Sequence, residues 1–238
     1  MKESHVRRGF VAVCCLAIVN GLVGSASAQA PTSWPVLVIQ ESIQLDGRLD
    51  EPFWRQATPI LLTQQAPDPG AATPFGTTVR VVVNQENLYF AFECLDPDPR
   101  RLVVQTMQRD GNVEGDDTVS IALDTYGDRR TGYFFRVNAS GARVDGLVAG
   151  PEEPSLDWDG IWDARTQRAA DRWTVEVAIP TRTLNFTRGL DAWGAAFERN
   201  VARVRTVLRW TSPTLDSLFY DLSRAGTLTG LAGLRQGL

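Results

Sequence analysis

The chain is nearly empty of side chains that titrate close to neutral pH. Its one histidine is His5 and its one lysine is Lys2, so both fall within the first few residues. The remainder therefore has no Ser-His triad, no imidazole general base and no histidine-ligated zinc or haem. Cysteine is almost as scarce. Cys14 and Cys15 lie in an apolar N-terminal run, where Val13 is too bulky to precede a lipoprotein cleavage site, and Cys94 stands alone. Two readings remain for Cys94: a packed thiol in a buried strand, or a reactive one. An excess of basic charge is missing too. Beyond residue 28 there are 21 arginines against 27 acids, a net charge of −6. That acidic balance excludes the electrostatic footprint of a nucleic-acid binder. Long hydrophobic runs are absent: Gly9 to Gly24 is an uncharged, mostly apolar run of 16 residues, short of the ~20 that cross a bilayer. Lys2, Arg7 and Arg8 precede this run and Ala26-Ser27-Ala28 follow it. This is the pattern of a signal peptide over residues 1–28, cut after Ala28. The protein is expected to be exported: periplasmic, outer-membrane associated or secreted.

What is present points to β structure. Thr78 to Asn84 alternates Val79, Val81 and Val83 with Arg80 and Val82, and Leu88 to Leu95 follows after a polar turn, as in a hairpin. Further strands are predicted over Thr118–Asp124, Tyr133–Asn138, Arg143–Val148, Trp162–Ala169, Trp173–Ile179, Gly194–Arg203 and Val207–Thr211. Turn residues such as Asp96-Pro97-Asp98-Pro99 and Tyr126-Gly127-Asp128 punctuate them. Helix is confined to short turns at Glu51–Ala57 and Thr181–Leu184. The expected fold is all-β, an antiparallel, jelly-roll-like β-sandwich. Its expected organisation is a lead-in over 29–42, the sandwich over 43–231 and a tail over 232–238.

Several stretches concentrate unusual residues. Ile43 to Ala57 (IQLDGRLDEPFWRQA) holds acids on both sides of a glycine turn and then Trp54, which reads as a plug closing one end of the sandwich. Arg109 to Asp124 is an acid-rich loop feeding a strand, and Asp124 to Gly141 makes a hairpin and returns. Asp157 to Ala164 (DWDGIWDA) mixes acids with Trp158 and Trp162, which suits either ligand contact on a rim or packing. Trp173 and Trp193 read as core. Arg136 reads as the partner of Asp117 or Glu198 in an ion pair, or as a ligand-binding group. Asn138 reads as a turn residue or a ligand contact; Phe219 and Tyr220 as core, a dimer face or a binding surface. Calcium takes 6–8 oxygen ligands; Asp116-Asp117, Asp124 with Asp128, and Asp157/Asp159/Asp163 each offer carboxylates, without the EF-hand spacing.

Five pieces occur in a telling order: Asp46-Gly47 to Trp54, Asp117 to Asp124, Phe135 to Asn138, Val175 to Pro180, and Trp193 to Phe197. In this order the chain resembles the family 9 carbohydrate-binding modules from about Ile43 to Leu231. It is most similar to a subgroup of unknown function that precedes an outer-membrane-type β-barrel. The closing LSRAGTLTGLAGLRQGL looks like the seam where such a barrel would begin. The resemblance implies a β-sandwich that holds a sugar between two tryptophans, beside an arginine, an asparagine and a carboxylate or amide. By position these fall on Arg136 and Asn138, and the second tryptophan falls on Phe219, with Tyr220 beside it. The first tryptophan falls on Glu114, the strand carboxylate on Ser120 and the amide near Glu198. Trp158 or Trp162 could supply the missing aromatic face. The family often carries structural Ca²⁺, for which Asp124 and Asp128 are the best pair.

Three functions are compatible with this sequence. The first is an exported, non-catalytic module that binds poly- or oligosaccharide and is associated with carbohydrate catabolism. The second is a periplasmic structural domain of an outer-membrane β-barrel protein, its sugar site lost. The third is a glycoside hydrolase, which needs two carboxylates ~5–9.5 Å apart. No pair stands out in the sequence, so hydrolysis of O-glycosyl bonds is expected only through a partner enzyme or domain.

Overall fold

A computed structural model describes Met1, residues 33–211 and residues 213–236. The signal peptide expected over 1–28 falls, Met1 aside, outside the described residues. Contacts divide the chain into Met1–Ala30 and Pro31–Leu238, and the second unit carries the fold.

In chain order the elements are β1 (Ser33–Pro35), β2 (Leu37–Val38), α1 (Pro52–Gln56), β3 (Ile60–Leu61) and β4 (Thr63–Ala66). Then come β5 (Thr77–Val83), β6 (Asn87–Leu95), β7 (Thr118–Asp124), β8 (Thr131–Asn138) and β9 (Arg143–Ala149). The series ends with β10 (Asp163–Arg168), β11 (Arg172–Pro180), β12 (Trp193–Val201), β13 (Thr206–Trp210) and β14 (Gly226–Thr229). They form two sheets. The larger has 8 strands and runs β1-β14-β12-β7-β8-β9, with β13 also on β12 and β4 on β13. The smaller has 6 strands, β10-β11-β6-β5-β2, with β3 also on β5. The sandwich is the expected one, with two amendments. The pairs β1–β14 and β2–β5 are parallel, so the residues read as a lead-in enter both sheets. The closing residues read as a barrel seam supply β14, which pairs with β12.

The alternation seen in the sequence explains the core. Val79, Val81 and Val83 of β5, Phe90 and Phe92 of β6, and Val175 and Val177 of β11 face Ile121, Phe135, Phe197 and Leu208 of the larger sheet, all buried. Cys94 joins this core, where burial pushes its thiol up to about 11; the packed-thiol reading fits that setting.

Both outer faces carry apolar side chains as well. On the smaller sheet Val82, Tyr89 and Ala91 are covered by Ile39, Ile43, Trp54 and Ala57. Trp54 therefore lies over the outer face of a sheet, not at an end of the sandwich. One buried carboxylate fastens this cover. Glu176 Oε2 accepts from the amides of Asp46 and Gly47, both at 2.9 Å, and Oε1 accepts from Trp54 Nε1 at 3.0 Å. Gly47 adopts φ +85°, and a Cβ there would meet the Thr166 carbonyl carbon at 2.7 Å, so the turn admits only glycine. The larger sheet's outer face holds Ala122, Phe134, Val144 and Ala196, covered in part by Val113, Phe219, Leu222 and Ala225.

Glu176→Gln replaces one acceptor oxygen by a donor amide that must face an N–H. Equilibrium urea unfolding should show a loss of about 1–3 kcal/mol, the cost of an unpaired buried polar group. An unchanged midpoint would mean that the carboxylate does not fasten residues 46–54.

Candidate functional site

A row of polar side chains crosses the outer face of the larger sheet. Register places Arg209 of β13 opposite Glu198 of β12, Glu198 opposite Ser120 of β7, and Ser120 opposite Arg136 of β8. The parallel row Ala196, Ala122, Phe134 is apolar, and Asn200 with Thr118 lies on the other side. Neighbouring strands lie ~4.8 Å apart, so such a row forms a continuous floor.

The floor is tied together by charge-assisted bonds. Arg209 Nε donates to Glu198 Oε2 at 2.7 Å and its Nη1 donates to the Ser217 carbonyl at 2.6 Å. Arg136 Nε donates to Ser120 Oγ at 2.9 Å, and Nη2 donates to Tyr220 Oη at 3.3 Å and lies 3.9 Å from Glu198 Oε1. The Arg136 guanidinium stands 4.9 Å over the Phe134 ring, a favourable place for a cation. Its Nη1 has no hydrogen-bond partner among the described residues. Tyr220 packs edge-on against Phe134 at 5.2 Å and is only partly buried. Burial pushes its phenol pKa up, against the pull of Arg136, so the hydroxyl keeps its proton at neutral pH and both donates and accepts.

Above this floor is a cavity of about 550 Å³, within the range of small-molecule sites, about 300–1,000 Å³. Its walls come from three loops: Asp110 to Glu114, Glu153 to Leu156, and Tyr220. The exposed rim is acidic, through Asp110, Glu114 and Glu153.

Of the residues read from the sequence, Arg136, Glu198 and Tyr220 meet in this cavity, and Arg136 approaches Glu198 rather than Asp117. The others lie elsewhere. Asn138 is fully buried: its Nδ2 donates to the Thr106 carbonyl and Asp116, and its Oδ1 accepts from the Ser140 and Ala142 amides. It organises a turn. Phe219 is buried beside the site, over the apolar row and against Phe134. Trp158 packs on Tyr133 and Phe135, and Trp162 packs on Phe135, all on the inner side of the sheet. Asp145 fixes that loop by accepting from Trp162 Nε1 at 2.9 Å and the Gly160 amide at 2.6 Å. Trp162 is buried in this packing and Trp158 is partly exposed; neither lines the cavity above the polar row.

The expected calcium pair does not fit a cation. Asp124 is buried and its carboxylate accepts from the amides of Tyr126, Gly127, Asp128 and Arg129. These four donors point positive charge where calcium would sit. Asp128 accepts separately, from the Arg130 and Thr131 amides and the Thr131 hydroxyl. Among the described residues no group of three or more acidic, His or Cys side chains could hold a metal ion.

Arg209 also belongs to the row, although no motif in the sequence singles it out. The signal was available: within Thr206–Trp210, Val207 and Arg209 share the face opposite Leu208 and Trp210. Which strand lies beside β13, and hence the Glu198 pairing, is not written in that alternation.

No family model and no curated protein matches the chain by sequence. Among solved structures it is similar to a family 9 carbohydrate-binding module from Caldicellulosiruptor kristjanssonii in complex with cellotriose, with a TM-score of 0.61 and 18% identity over 87% of this chain and 95% of that one. The same module with glucose gives 0.60 and 18%, over 87% and 97%. A Bacteroides uniformis ATCC 8492 protein, named for expected carbohydrate binding, gives 0.67 and 15%, over 84% and 99%. At these identities the likeness establishes the fold.

Because turn amides fill the Asp124 carboxylate, a chelator should leave the thermal midpoint unchanged. A drop in EDTA that added calcium restores would contradict the geometry described for Asp124 and Asp128.

Proposed function

We propose that this protein is a non-catalytic carbohydrate-binding module that takes a neutral oligosaccharide on the outer face of its larger sheet. One observation carries the reading: the Arg209–Glu198–Ser120–Arg136 row forms the floor of a cavity beside the Tyr220 ring. Sugars ask for planar polar groups that pair with vicinal hydroxyls, and for an aromatic surface against their C–H faces. Arg136 offers an unengaged N–H edge and Tyr220 offers a ring. The acidic rim of Asp110, Glu114 and Glu153 disfavours uronates and sulfated sugars by like-charge repulsion. The fold shared with sugar-binding domains supports the same reading. In this view the chain is exported by its N-terminal segment and serves carbohydrate catabolism by holding a partner enzyme or surface protein on glycan. Glu198 acts as the ion-pair partner of Arg209, not as a reacting acid.

Calorimetric titration of the purified protein with glucose, cellobiose and cellotriose tests the reading, alongside a polysaccharide pull-down. Binding is expected, and Arg136→Ala and Tyr220→Ala should each weaken it about 10–100-fold, the value of a charge-assisted hydrogen bond or a ring contact. Circular dichroism reports whether the variants keep the fold. No binding to any glycan would overturn the reading in favour of a structural domain beside an outer-membrane β-barrel.

A further inference from the structure

The residues after β14 are anchored to the sandwich. Leu231 and Leu234 are buried in the core between the sheets, and the Arg235 amide donates to the Gln85 carbonyl in the β5–β6 turn at 2.9 Å. The next carbonyl of that turn, Glu86, accepts from the Thr181 amide at 2.7 Å. One turn therefore fixes two stretches of chain that are distant in sequence. Together they enclose a cavity of about 370 Å³, lined by Glu86, Asn87, Thr181, Arg182, Arg235 and Gln236. None of these residues lines the cavity over the polar row.

The charges in this second cavity are unspent. Most arginines of the chain are held by internal contacts, as Arg129, Arg172 and Arg203 are. Arg182 and Arg235 are exposed, and neither guanidinium makes a hydrogen bond or ion pair with a described group. Thr181 is only 2% exposed, yet its hydroxyl has no described hydrogen-bond partner either. A buried hydroxyl left so is costly unless a ligand or water meets it. The wall beside Arg235 is braced: Gln236 Oε1 accepts from Arg188 Nε at 3.3 Å, and its Nε2 donates to Asn185 Oδ1 at 3.4 Å. Glu86 is the one acid among the lining residues and pairs with neither arginine. The cavity is thus net positive in a chain that carries −6 beyond residue 28.

We propose that this cavity is an anion site that takes a phosphoryl group, held by the Arg182 and Arg235 guanidiniums and the Thr181 hydroxyl. A guanidinium presents parallel N–H donors that match two phosphoryl oxygens, and the hydroxyl donates to a third. A phosphate monoester carries about −1.5 to −2 charge at pH 7, enough to satisfy both arginines, whereas a carboxylate satisfies one. The volume falls within the about 300–1,000 Å³ of small-molecule sites and leaves room for the group that carries the phosphate. That group is either the rest of a soluble ester or the glycerol of a lipid headgroup. The site is separate from the polar row and does not depend on the carbohydrate reading.

Calorimetric titration with inorganic phosphate and glycerol 3-phosphate, with glycerol as the neutral control, tests the site in wild type, Arg182→Gln, Arg235→Gln and Glu86→Gln. Cosedimentation with phosphatidylcholine vesicles, with and without phosphatidic acid, runs alongside. All three positions are exposed, so melting temperatures should match wild type. Wild type should bind the phosphate probes and not glycerol. Each arginine substitution should weaken binding about tenfold or more, as loss of a charge-assisted pair does. Glu86→Gln should tighten it about threefold by removing a like charge, a gain that a structural role would not produce. Capture by phosphatidic acid vesicles that either arginine substitution abolishes would identify a lipid headgroup as the source; binding of the soluble probes without vesicle capture would identify a soluble ester. Absence of binding to both phosphate probes and to the vesicles, or affinity that either arginine substitution leaves unchanged, would overturn the site.

Discussion

The register of β12 between β7 and β13 is the constraint from which the site follows. Side chains alternate between faces with a period of two, so a slip of one residue would exchange the inner and outer sets. Outward, the strand presents Ala196, Glu198 and Asn200. Inward, it presents Phe197, which stacks on Trp210 with centroids 5.4 Å apart and contacts Phe90 and Phe92. It also sends Arg199 inward, fully buried. That guanidinium is tolerated because its Nη1 donates to the Phe75 and Leu95 carbonyls and the Thr77 hydroxyl, and Asp96 lies 3.6 Å from its Nη2. The rings of Phe75 and Trp173 flank it at 5.8 Å. Each of these contacts belongs to one register only. The core thereby fixes which side chains reach the outer face and where Glu198 stands relative to Arg209 and Arg136.

The two outer faces differ in what covers them, and the proposed binding surface lies where a cavity remains. On the smaller sheet, residues 39–57 lie flat over Val82, Tyr89 and Ala91 and are fastened by Glu176. That part of the face is closed, while Arg80, Glu93 and Arg172 on the same face stay partly exposed. On the larger sheet, Phe219, Leu222 and Ala225 cover only the apolar row around Ala122, Phe134 and Ala196. The polar row beside it floors the cavity, with Ser120 and Glu198 buried and Arg136 and Arg209 partly exposed. A charged row cannot be sealed without desolvating its charges, whereas an apolar row gains by being sealed. The boundary between cover and cavity follows that difference.

Much of the fold was legible in the sequence because strands such as Thr77–Val83 and Asn87–Leu95 are long enough to show alternation. The strands at β1, β2, β3, β4 and β14 are too short to carry a period, and their parallel or edge pairings depend on distant partners. Motif order located Asp46-Gly47, Trp54 and Glu176, but not that one carboxylate joins them. The site was legible in part. Arg136, Glu198 and Tyr220 converge, while Asn138 organises a turn and Phe219, Trp158 and Trp162 pack outside the cavity. An indole in an acidic loop looks the same in sequence whether a ligand or a buried carboxylate such as Asp145 holds it. Alternation in Thr206–Trp210 gives the face of Arg209, but only the sheet register shows that it stands opposite Glu198.

The central claim is that glycan binds at the Arg209–Glu198–Ser120–Arg136 row and not at the tryptophan loop. Nitrogen-edited NMR during a cellotriose titration separates these directly, through the side-chain Nε signals of Arg136 and Arg209 and the indole signals of Trp158 and Trp162. The account predicts that the two arginine signals move with saturation while the indole signals stay in place. Movement of the indoles with stationary arginines would contradict it.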